Sequence, residues 1–229
     1  MGRADFRGQV VVITGASSGI GRELARQLAG QGARLALAAR TGDRLVAVAA
    51  ECRERGGEAV AVPTDVAVEA QCQALIARAV EVYGRLDVLI NNAGLGLYGR
   101  LERLSDLSLF ERVVRVNLLG SVYCTYHALP HLKAARGRLV AVSSVAGRLA
   151  PPRIAAYAAS KHAMAGFFDA LRLELAGTGV SVTVAYPNFV VTEFAERQFR
   201  PDGTLVGPAG RAICTPRTMS AERCARIIL

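Results

Sequence analysis

Short apolar runs alternate with longer amphipathic stretches along most of this sequence, and this alternation constrains the fold more than any other feature. The runs predict strands at 10–14, 34–39, 58–62, 86–91, 138–143 and 180–186. The stretches between them predict helices at 19–30, from 40 to about 55, at 68–83, about 105–133 and about 152–176. Because the strands are continuously apolar, we expect helices to cover both faces of the sheet.

The order of these elements predicts how the strands are joined. Parallel strands connected by right-handed helical crossovers form a doubly wound sheet, whose ligands lie beyond the carboxyl ends of the strands. We therefore expect an α/β protein with a doubly wound parallel β-sheet in a three-layer α/β/α arrangement. At 229 residues the chain is of a size that folds as one unit, so residues 1–229 are predicted to form a single domain.

Residues 193–217 interrupt the alternation. Their sequence, EFAERQFRPDGTLVGPAGRAICTPR, is rich in glycine, proline and arginine, and it predicts a mobile lid over the site. The chain then ends within a helical pattern, SAERCARIIL, where a seventh strand is expected. We expect the C-terminal strand to be missing, either because this chain is a shortened form or because the sheet edge is unusual.

Composition argues against several classes of protein. No apolar run approaches the roughly 20 residues needed to cross a bilayer, and the N-terminal residues do not have the form of a secretion signal. Five cysteines, never spaced as C-x-x-C, are typical of reduced thiols packed as small apolar groups. We expect a soluble, cytoplasmic protein without a membrane partner.

The net charge of +9 raises the question of nucleic acid. The arginines are spread along the chain, and no basic stripe is interleaved with aromatic residues, so no nucleic-acid partner is expected. His127 and His131 share one helix face but have no third ligand nearby, so no metal site is expected.

The sequence GASSGIG, residues 15–21, follows the first strand directly and opens a helix. Glycines here let the backbone turn tightly and approach a pyrophosphate, which the helix N-terminus attracts. Taken alone, a plain turn between strand and helix would also explain the pattern. The predicted cofactor-binding residues of this turn are Gly15, Ser17, Ser18, Gly19, Ile20 and Gly21.

The end of the second strand bears on the choice of cofactor. An acidic residue there would bind the ribose 2′-hydroxyl of NAD, whereas this chain has Arg40 in the sequence AART. The planar, permanently charged guanidinium suits a 2′-phosphate, although a solvated loop arginine is the alternative. We expect NADP(H) to be preferred, with NAD(H) possible.

Lys161 stands four residues after Tyr157 in the sequence AAYAASKH, and it is one of only two lysines in the chain. At this spacing both side chains lie on one helix face. An ammonium beside a phenol is expected to lower the pKa of the tyrosine, which could then exchange a proton near neutral pH. A surface Tyr–Lys pair would have the same spacing.

Together these motifs resemble those of the short-chain dehydrogenases/reductases, from about Gly8 to the C-terminus. TGASSGIG is similar to the family's cofactor motif, NNAG to its segment after strand four, and PTDV to its adenine-contacting segment. The resemblance implies a Rossmann-type fold, a homodimer or homotetramer, and hydride transfer between a nicotinamide and a carbonyl or alcohol carbon. The catalytic residues it implies are Asn117, Ser144, Tyr157 and Lys161, with Ser143 as the rival to Ser144.

The resemblance also assigns further residues. It implies that Tyr157 exchanges the proton, Lys161 holds the nicotinamide ribose, Ser144 binds the substrate oxygen, and Asn117 bends its helix and holds a water. The additional cofactor residues are Asp65, Val66, Asn91, Ala93, Gly94, Pro187 and Thr192, together with Tyr157 and Lys161. The family's usual Pro-Gly after strand six is here Pro187-Asn188.

The substrate is predicted to be small and apolar. The predicted substrate contacts are Ser144 and Tyr157 with Leu95, Phe189 and Phe194, and Leu97 and Tyr98 also favour an apolar pocket. A steroid-like or fatty ketone is favoured over a sugar. Two alternatives stay open: reduction of 3-oxoacyl thioesters on an acyl carrier protein, and a catalytically silent protein that senses NADP.

Overall fold

A six-stranded, fully parallel sheet forms the centre of the computed structural model, which describes residues 5–213 and 218–229. Its strands are β1 (Val10–Thr14), β2 (Arg34–Ala39), β3 (Glu58–Pro63), β4 (Val88–Asn91), β5 (Arg138–Val142) and β6 (Ser181–Ala185). The spatial order is β3-β2-β1-β4-β5-β6. This order reverses direction next to β1, so the predicted Rossmann-type doubly wound sheet is confirmed.

Helices cover both faces of the sheet, as predicted. They are α1 (Gly19–Ala29), α2 (Gly42–Glu54), α3 (Glu69–Tyr83), α4 (Ser108–Val114), α5 (Gly120–Ala135), α6 (Ala155–Glu174) and α7 (Ala221–Ile228). Successive residues of the fully buried β1 point into different cores: Val11 packs with residues of α1 and α2, and Val12 with residues of α3, α5 and α6. The two cores produce the three-layer arrangement.

Two helix predictions need correction. The helix predicted over about 105–133 is divided into α4 and α5 by a π-helical turn, Arg115–Leu119, which contains Asn117. The next helix does not begin at Pro152. Arg153 adopts a left-handed backbone conformation with φ of 72°, which stops helical geometry there, so α6 begins at Ala155.

The C-terminal part of the chain lies beside the cofactor end of the sheet. A two-residue strand β7 (Val190–Val191) pairs in parallel with β8 (Met219–Ser220), separately from the six-stranded sheet. Helix α7 then packs on α1, and the Nε2 of Gln27 donates to the carbonyl of Glu222 at 2.9 Å. The main sheet thus has β3 at one edge and β6 at the other among the described residues.

The predicted lid, residues 193–217, falls partly outside the described residues, which omit 214–217. Its described part consists of turns and a 3₁₀ helix, Gly207–Ile213, and its mobility stays a prediction. No helix in the described ranges is both long enough and apolar enough to cross a membrane.

Candidate active site

A cavity of about 1410 Å³ opens at the carboxyl edge of the sheet. It is lined by most of the residues that the sequence predicts for cofactor and substrate. These are Gly15, Ser17, Ser18, Gly19, Ile20, Arg40, Leu95, Asp65, Val66, Ala93, Gly94, Ser144, Tyr157, Lys161, Pro187, Phe189, Thr192 and Phe194. The fold therefore brings together distant residues, such as Ser18 and Arg197, which are 179 positions apart in the chain and share a hydrogen bond.

The glycine-rich turn has the backbone shape that its sequence predicts. Gly15 and Gly19 adopt positive φ values of 66° and 54°, which favour glycine. Ser18 precedes α1 in an extended conformation, and its side chain does not cap the helix. The turn therefore presents the positive end of α1 to the cavity.

Two predicted cofactor residues do not line the cavity. A Cβ on Gly21 would lie 2.3 Å from the Gly15 carbonyl oxygen, so Gly21 allows the turn to close tightly rather than touching a ligand. Asn91 is buried inside the fold, where its Nδ2 donates to Thr125 Oγ1 at 3.0 Å. Both assignments are corrected, because each residue faces the packed interior.

Asn92 has the place in the cavity wall that was predicted for Asn91. It lines the cavity, and its Nδ2 donates to the carbonyl oxygens of Thr14, at 2.9 Å, and Gly15, at 3.2 Å. Thr14 Oγ1 in turn accepts from the backbone amide of Asn92 at 3.0 Å. Adjacent strand residues point in opposite directions, so the alternation at the end of β4 could have identified Asn92.

Arg40 lies at the carboxyl end of β2, exposed to solvent and on the cavity wall. Asp65 and Val66 line the same end of the cavity after β3. The Asp65 carboxylate accepts from the backbone amide of Ala67 at 3.0 Å, which fixes the turn into α3. This end of the cavity thus has a guanidinium where a dinucleotide-binding fold holds the adenine-side ribose.

Ser144 and Tyr157 form the polar centre of the cavity. Ser144 precedes a 3₁₀ turn, Val145–Gly147, and its side chain lies next to Tyr157, whose pKa it lowers. The rival Ser143 is buried, and its hydroxyl donates to the carbonyl of Lys161 at 3.2 Å. Ser143 therefore holds α6 in place, which leaves Ser144 as the serine next to the tyrosine hydroxyl.

The expected effect of Lys161 on Tyr157 is not what the structure shows. Burial raises the pKa of Tyr157 above its ordinary value, and the hydrogen bond from Ser144 only partly offsets this. Burial also lowers the pKa of Lys161 to about 8. The prediction of a lowered tyrosine pKa was wrong for this structure, because the effect of burial outweighs that of Ser144.

Asn117 lies in the π-helical turn, so the predicted distortion of its helix is confirmed. Its Oδ1 accepts from the Leu95 amide at 2.7 Å, and its Nδ2 donates to the Leu95 carbonyl at 2.9 Å and to Ser160 Oγ at 2.9 Å. Ser160 donates onward to the carbonyl of Tyr157 at 2.7 Å. Ser160 was not among the predicted site residues, although its place in the YAASK sequence, one residue before Lys161, pointed to it.

Apolar side chains surround the polar centre. The ring centroids of Phe194 and Tyr157 are 5.5 Å apart, and Phe189 lines the cavity while remaining 62% exposed. Tyr98 also lines the cavity. Leu97 is buried and does not line the cavity, and its backbone forms an isolated parallel β-bridge with Phe199. The structure thus confirms an apolar wall but places Leu97 outside it.

A doubly wound sheet with a glycine-rich turn after β1 and a Ser–Tyr–Lys set at its carboxyl edge defines a class of dinucleotide-binding fold. The model of the short chain dehydrogenase family matches residues 9–202. The chain belongs to that family.

Solved structures show the same fold. A short chain dehydrogenase/reductase from Burkholderia phymatum, solved in complex with NAD, superposes with a TM-score of 0.88 at 32% identity, over 98% of this chain and 85% of that one. An alcohol dehydrogenase from the archaeon Thermococcus sibiricus, complexed with 5-hydroxy-NADP, gives a TM-score of 0.83 at 30% identity, over 96% and 88%.

Similar curated proteins carry names that refer to steroids. An 11-beta-hydroxysteroid dehydrogenase of Pinus massoniana is 38% identical over 98% of this chain and 64% of its own length. An 11-beta-hydroxysteroid dehydrogenase-like protein, 4A, of Arabidopsis thaliana is 45% identical over 80% of this chain and 61% of its own length. The chain thus spans less than two thirds of the length of these relatives.

Proposed function

We propose that this protein is an oxidoreductase that interconverts a carbonyl group and a secondary alcohol on a small apolar substrate. The observation that carries the proposal is that Tyr157 and Ser144 lie next to each other on the cavity wall, with Lys161 one helical turn from the tyrosine. A bound nicotinamide would supply or accept the hydride. The chain's own residues would bind the reactants and move the proton.

Tyr157 is proposed as the group that exchanges a proton with the substrate oxygen. Its raised pKa keeps the hydroxyl protonated at neutral pH, so it is ready to donate when a carbonyl is reduced. Ser144 would hold the same oxygen by a hydrogen bond, which becomes stronger as negative charge develops. A protonated tyrosine can supply the proton that the carbonyl oxygen needs when it is reduced.

Lys161 and Asn117 would support the tyrosine. The Lys161 ammonium donates to the Val142 carbonyl at 2.9 Å and lines the cavity, where it could hold a ribose hydroxyl. Asn117 is fully buried and fixes the loop after β4 through Leu95. We propose that Asn117 positions this loop and that its π-helical turn holds the relay water which the family resemblance implies.

The residues of the other half of the cavity fit a dinucleotide. A Cβ on Gly94 would lie 3.4 Å from Asn117 Oδ1 and 3.8 Å from Lys161 Nζ, so the glycine leaves room beside the amine. The positive end of α1 and the turn at Gly19 would bind the diphosphate. Asp65 and Val66 would line the adenine end, and Pro187 and Thr192 the nicotinamide end.

We further propose that NADP(H) is preferred over NAD(H). Arg40 stands on the cavity wall at the end of β2, and its guanidinium can pair with a 2′-phosphate through two parallel hydrogen bonds. The two solved relatives were crystallised with different nicotinamide cofactors, so the support comes from Arg40 itself.

The proposed substrate is a steroid-like or fatty carbonyl compound. The wall opposite Ser144 is built of aromatic and aliphatic side chains, among them Leu95, Phe189 and Phe194. The curated relatives named for 11-beta-hydroxysteroids support a fused-ring alcohol or ketone of this kind.

The decisive experiment is an NADPH-oxidation screen with steroid ketones, medium-chain ketones, quinones and 3-oxoacyl thioesters. Turnover of apolar ketones supports the proposal, and a clear preference for thioesters would favour the acyl-carrier alternative. Tight NADPH binding without turnover of any class would support a silent sensor instead.

We also propose a homodimer or homotetramer. Tyr126 on α5 and Leu173 on α6 are 68% and 78% exposed, and association would cover such large apolar groups. Sedimentation equilibrium tests this, and a monomer at micromolar concentration would refute it.

A further inference from the structure

A cationic side chain of the predicted lid reaches across to the cofactor side of the cavity. Arg197 Nη1 donates to Ser18 Oγ at 3.1 Å, and both residues line the cavity. Ser18 immediately precedes α1, whose first turn contains no acidic residue. A guanidinium and the positive end of a helix therefore lie side by side, with the serine hydroxyl between them.

A single carboxylate is shared by two arginines next to this point. Glu193 pairs with Arg197 within the segment and with Arg44 Nη1 of α2 at 2.9 Å. The backbone amide of Arg197 also donates to the carbonyl of Glu193 at 3.1 Å, which fixes the turn between them. Because Arg197 shares the Glu193 carboxylate with Arg44, its guanidinium can still attract an anion.

The same short segment touches the catalytic centre. Phe194 lies between Glu193 and Arg197 in sequence, and its ring packs on Tyr157 with 5.5 Å between centroids. Because Arg197 and Phe194 lie within one turn, a change in the position of one side chain would shift the other. The cofactor turn and the substrate wall are thus connected through residues 193–197.

We propose that Arg197 is a ligand of the cofactor diphosphate and that this contact fixes Phe194 against Tyr157. The inference rests on the proposed function, since it assigns one more residue to the same cofactor site. The planar fork of arginine matches phosphate oxygens, whereas the Ser18 hydroxyl offers it only one weaker acceptor. Cofactor binding would in this way complete the substrate wall.

Titration calorimetry with three probes tests the ligand assignment. NADPH and ADP-ribose both carry the diphosphate, whereas adenosine 2′-monophosphate lacks it. Arg197→Ala should weaken binding of the first two about tenfold or more and leave the third unchanged, because a charge-assisted hydrogen bond is lost. Arg197→Lys should recover part of the loss, since the charge remains without the fork.

Arg200→Ala is the matched control. Arg200 belongs to the same segment, is exposed, and donates to the Val206 carbonyl at 3.2 Å without lining the cavity. The Arg200→Ala substitution removes the same charge as Arg197→Ala and should leave the affinity for NADPH unchanged. Equal affinities of Arg197→Ala and Arg200→Ala for NADPH and ADP-ribose would overturn the inference.

Hydrogen exchange tests the link to the substrate wall. NADPH should slow amide exchange over residues 193–199 in the wild-type protein but not in Arg197→Ala at saturating nucleotide. Equal slowing in both proteins would refute the link. A wild-type protein that binds neither NADPH nor ADP-ribose would refute the proposed function itself, whereas unchanged binding by Arg197→Ala refutes this inference alone.

Discussion

Lys161 Nζ lies 5.9 Å from the centroid of the Tyr157 ring and donates to the carbonyl oxygen of Val142 at 2.9 Å. Its other close partner is the sulfur of Met164, at 3.7 Å. A neutral carbonyl and a thioether offset little of the free-energy cost of burying a positive charge. This explains why the pKa of Lys161 is lowered to about 8.

This lowered pKa predicts a rise in stability with pH. Between pH 8 and 10.5 the unfolded chain binds a proton at this amine that the folded chain has released, so the free energy of unfolding increases through that window. Relative to Lys161→Met, the wild-type protein should gain about 2 kcal/mol from pH 8 to pH 10 in urea unfolding.

The other lysine of the chain provides the control. Lys133 is exposed near the end of α5, so Lys133→Met removes the same kind of side chain from the surface without touching the buried site. The measurements stop at pH 10, because the raised pKa of Tyr157 lowers stability once the unfolded tyrosines ionise. A pH-independent difference for Lys161→Met would contradict the assigned burial effect.

Removing the tyrosine hydroxyl should abolish turnover while leaving the cofactor site intact. We expect Tyr157→Phe to lower kcat about 10³-fold, within the range of general acid–base catalysis. NADPH should still raise the temperature of unfolding of the variant. Tyr126→Phe, a change on the exposed surface of α5, should retain full activity. Substantial turnover by Tyr157→Phe would remove the tyrosine from its proposed role.

Ser160 is predicted to be a positioning residue. Ser160→Ala removes the acceptor of Asn117 Nδ2 and the donor to the Tyr157 carbonyl, so kcat should fall about tenfold, while KM changes little, and stability should fall by about 2 kcal/mol. Thr125→Val breaks an equally buried hydrogen bond, with Asn91, away from the tyrosine. Thr125→Val should lower the free energy of unfolding but leave kcat unchanged. Equal losses of kcat in the two variants would indicate a purely structural role for Ser160.

Arg40 should determine the preference between the two cofactors. Replacement by aspartate removes a partner for the 2′-phosphate and adds a carboxylate that repels it, so the NADPH/NADH ratio of kcat/KM should fall about 100-fold. Arg55→Asp makes the same change of charge at the far end of α2 and should leave the ratio unaltered. An unchanged ratio for Arg40→Asp would refute the preference for NADP(H).

Two glycine-to-alanine variants should have opposite effects on stability. A Cβ at Gly21 would meet the Gly15 carbonyl oxygen at 2.3 Å, so Gly21→Ala should lose at least about 2 kcal/mol of unfolding free energy. At Gly166, inside α6, a Cβ would meet nothing within 4 Å, and alanine should add about 0.5–1 kcal/mol. Thermal unfolding of the two variants measures both changes in stability. Equal shifts of the unfolding temperature in Gly21→Ala and Gly166→Ala would contradict the packing argument.

The architecture could be predicted from sequence because it depends on periodicity and on chirality. The apolar runs located all six strands of the main sheet, and right-handed crossovers predicted a doubly wound sheet, although not the order of its strands. Periodicity alone did not reveal the division of the long helix at Asn117, which only the family resemblance indicated, because a π-helical turn depends on tertiary contacts, here with Leu95 and Ser160. The position of this π-helical turn depends on hydrogen bonds between segments that are distant in the sequence.

The details of the site were harder to predict than its residue set. Asn91 and Asn92 are chemically identical, and only the direction of each side chain at the end of β4 separates them. The pKa of Tyr157 depends on how deeply the surrounding chain buries it, which spacing in the sequence does not reveal. Arg197 was missed because its partner, Ser18, lies at the other end of the chain.

The short pairing of β7 with β8 has a consequence for how the family could diversify. Val190 pairs with Met219 and Val191 pairs with Ser220. The two ends of the segment between these strands therefore lie side by side, outside the main sheet. A segment between two such adjacent ends can be lengthened, shortened or exchanged without altering the register of the six strands. An exchange of this segment that keeps Thr192 and Arg197 could thus change the apolar wall around Phe194, while the residues of α6 stay in place.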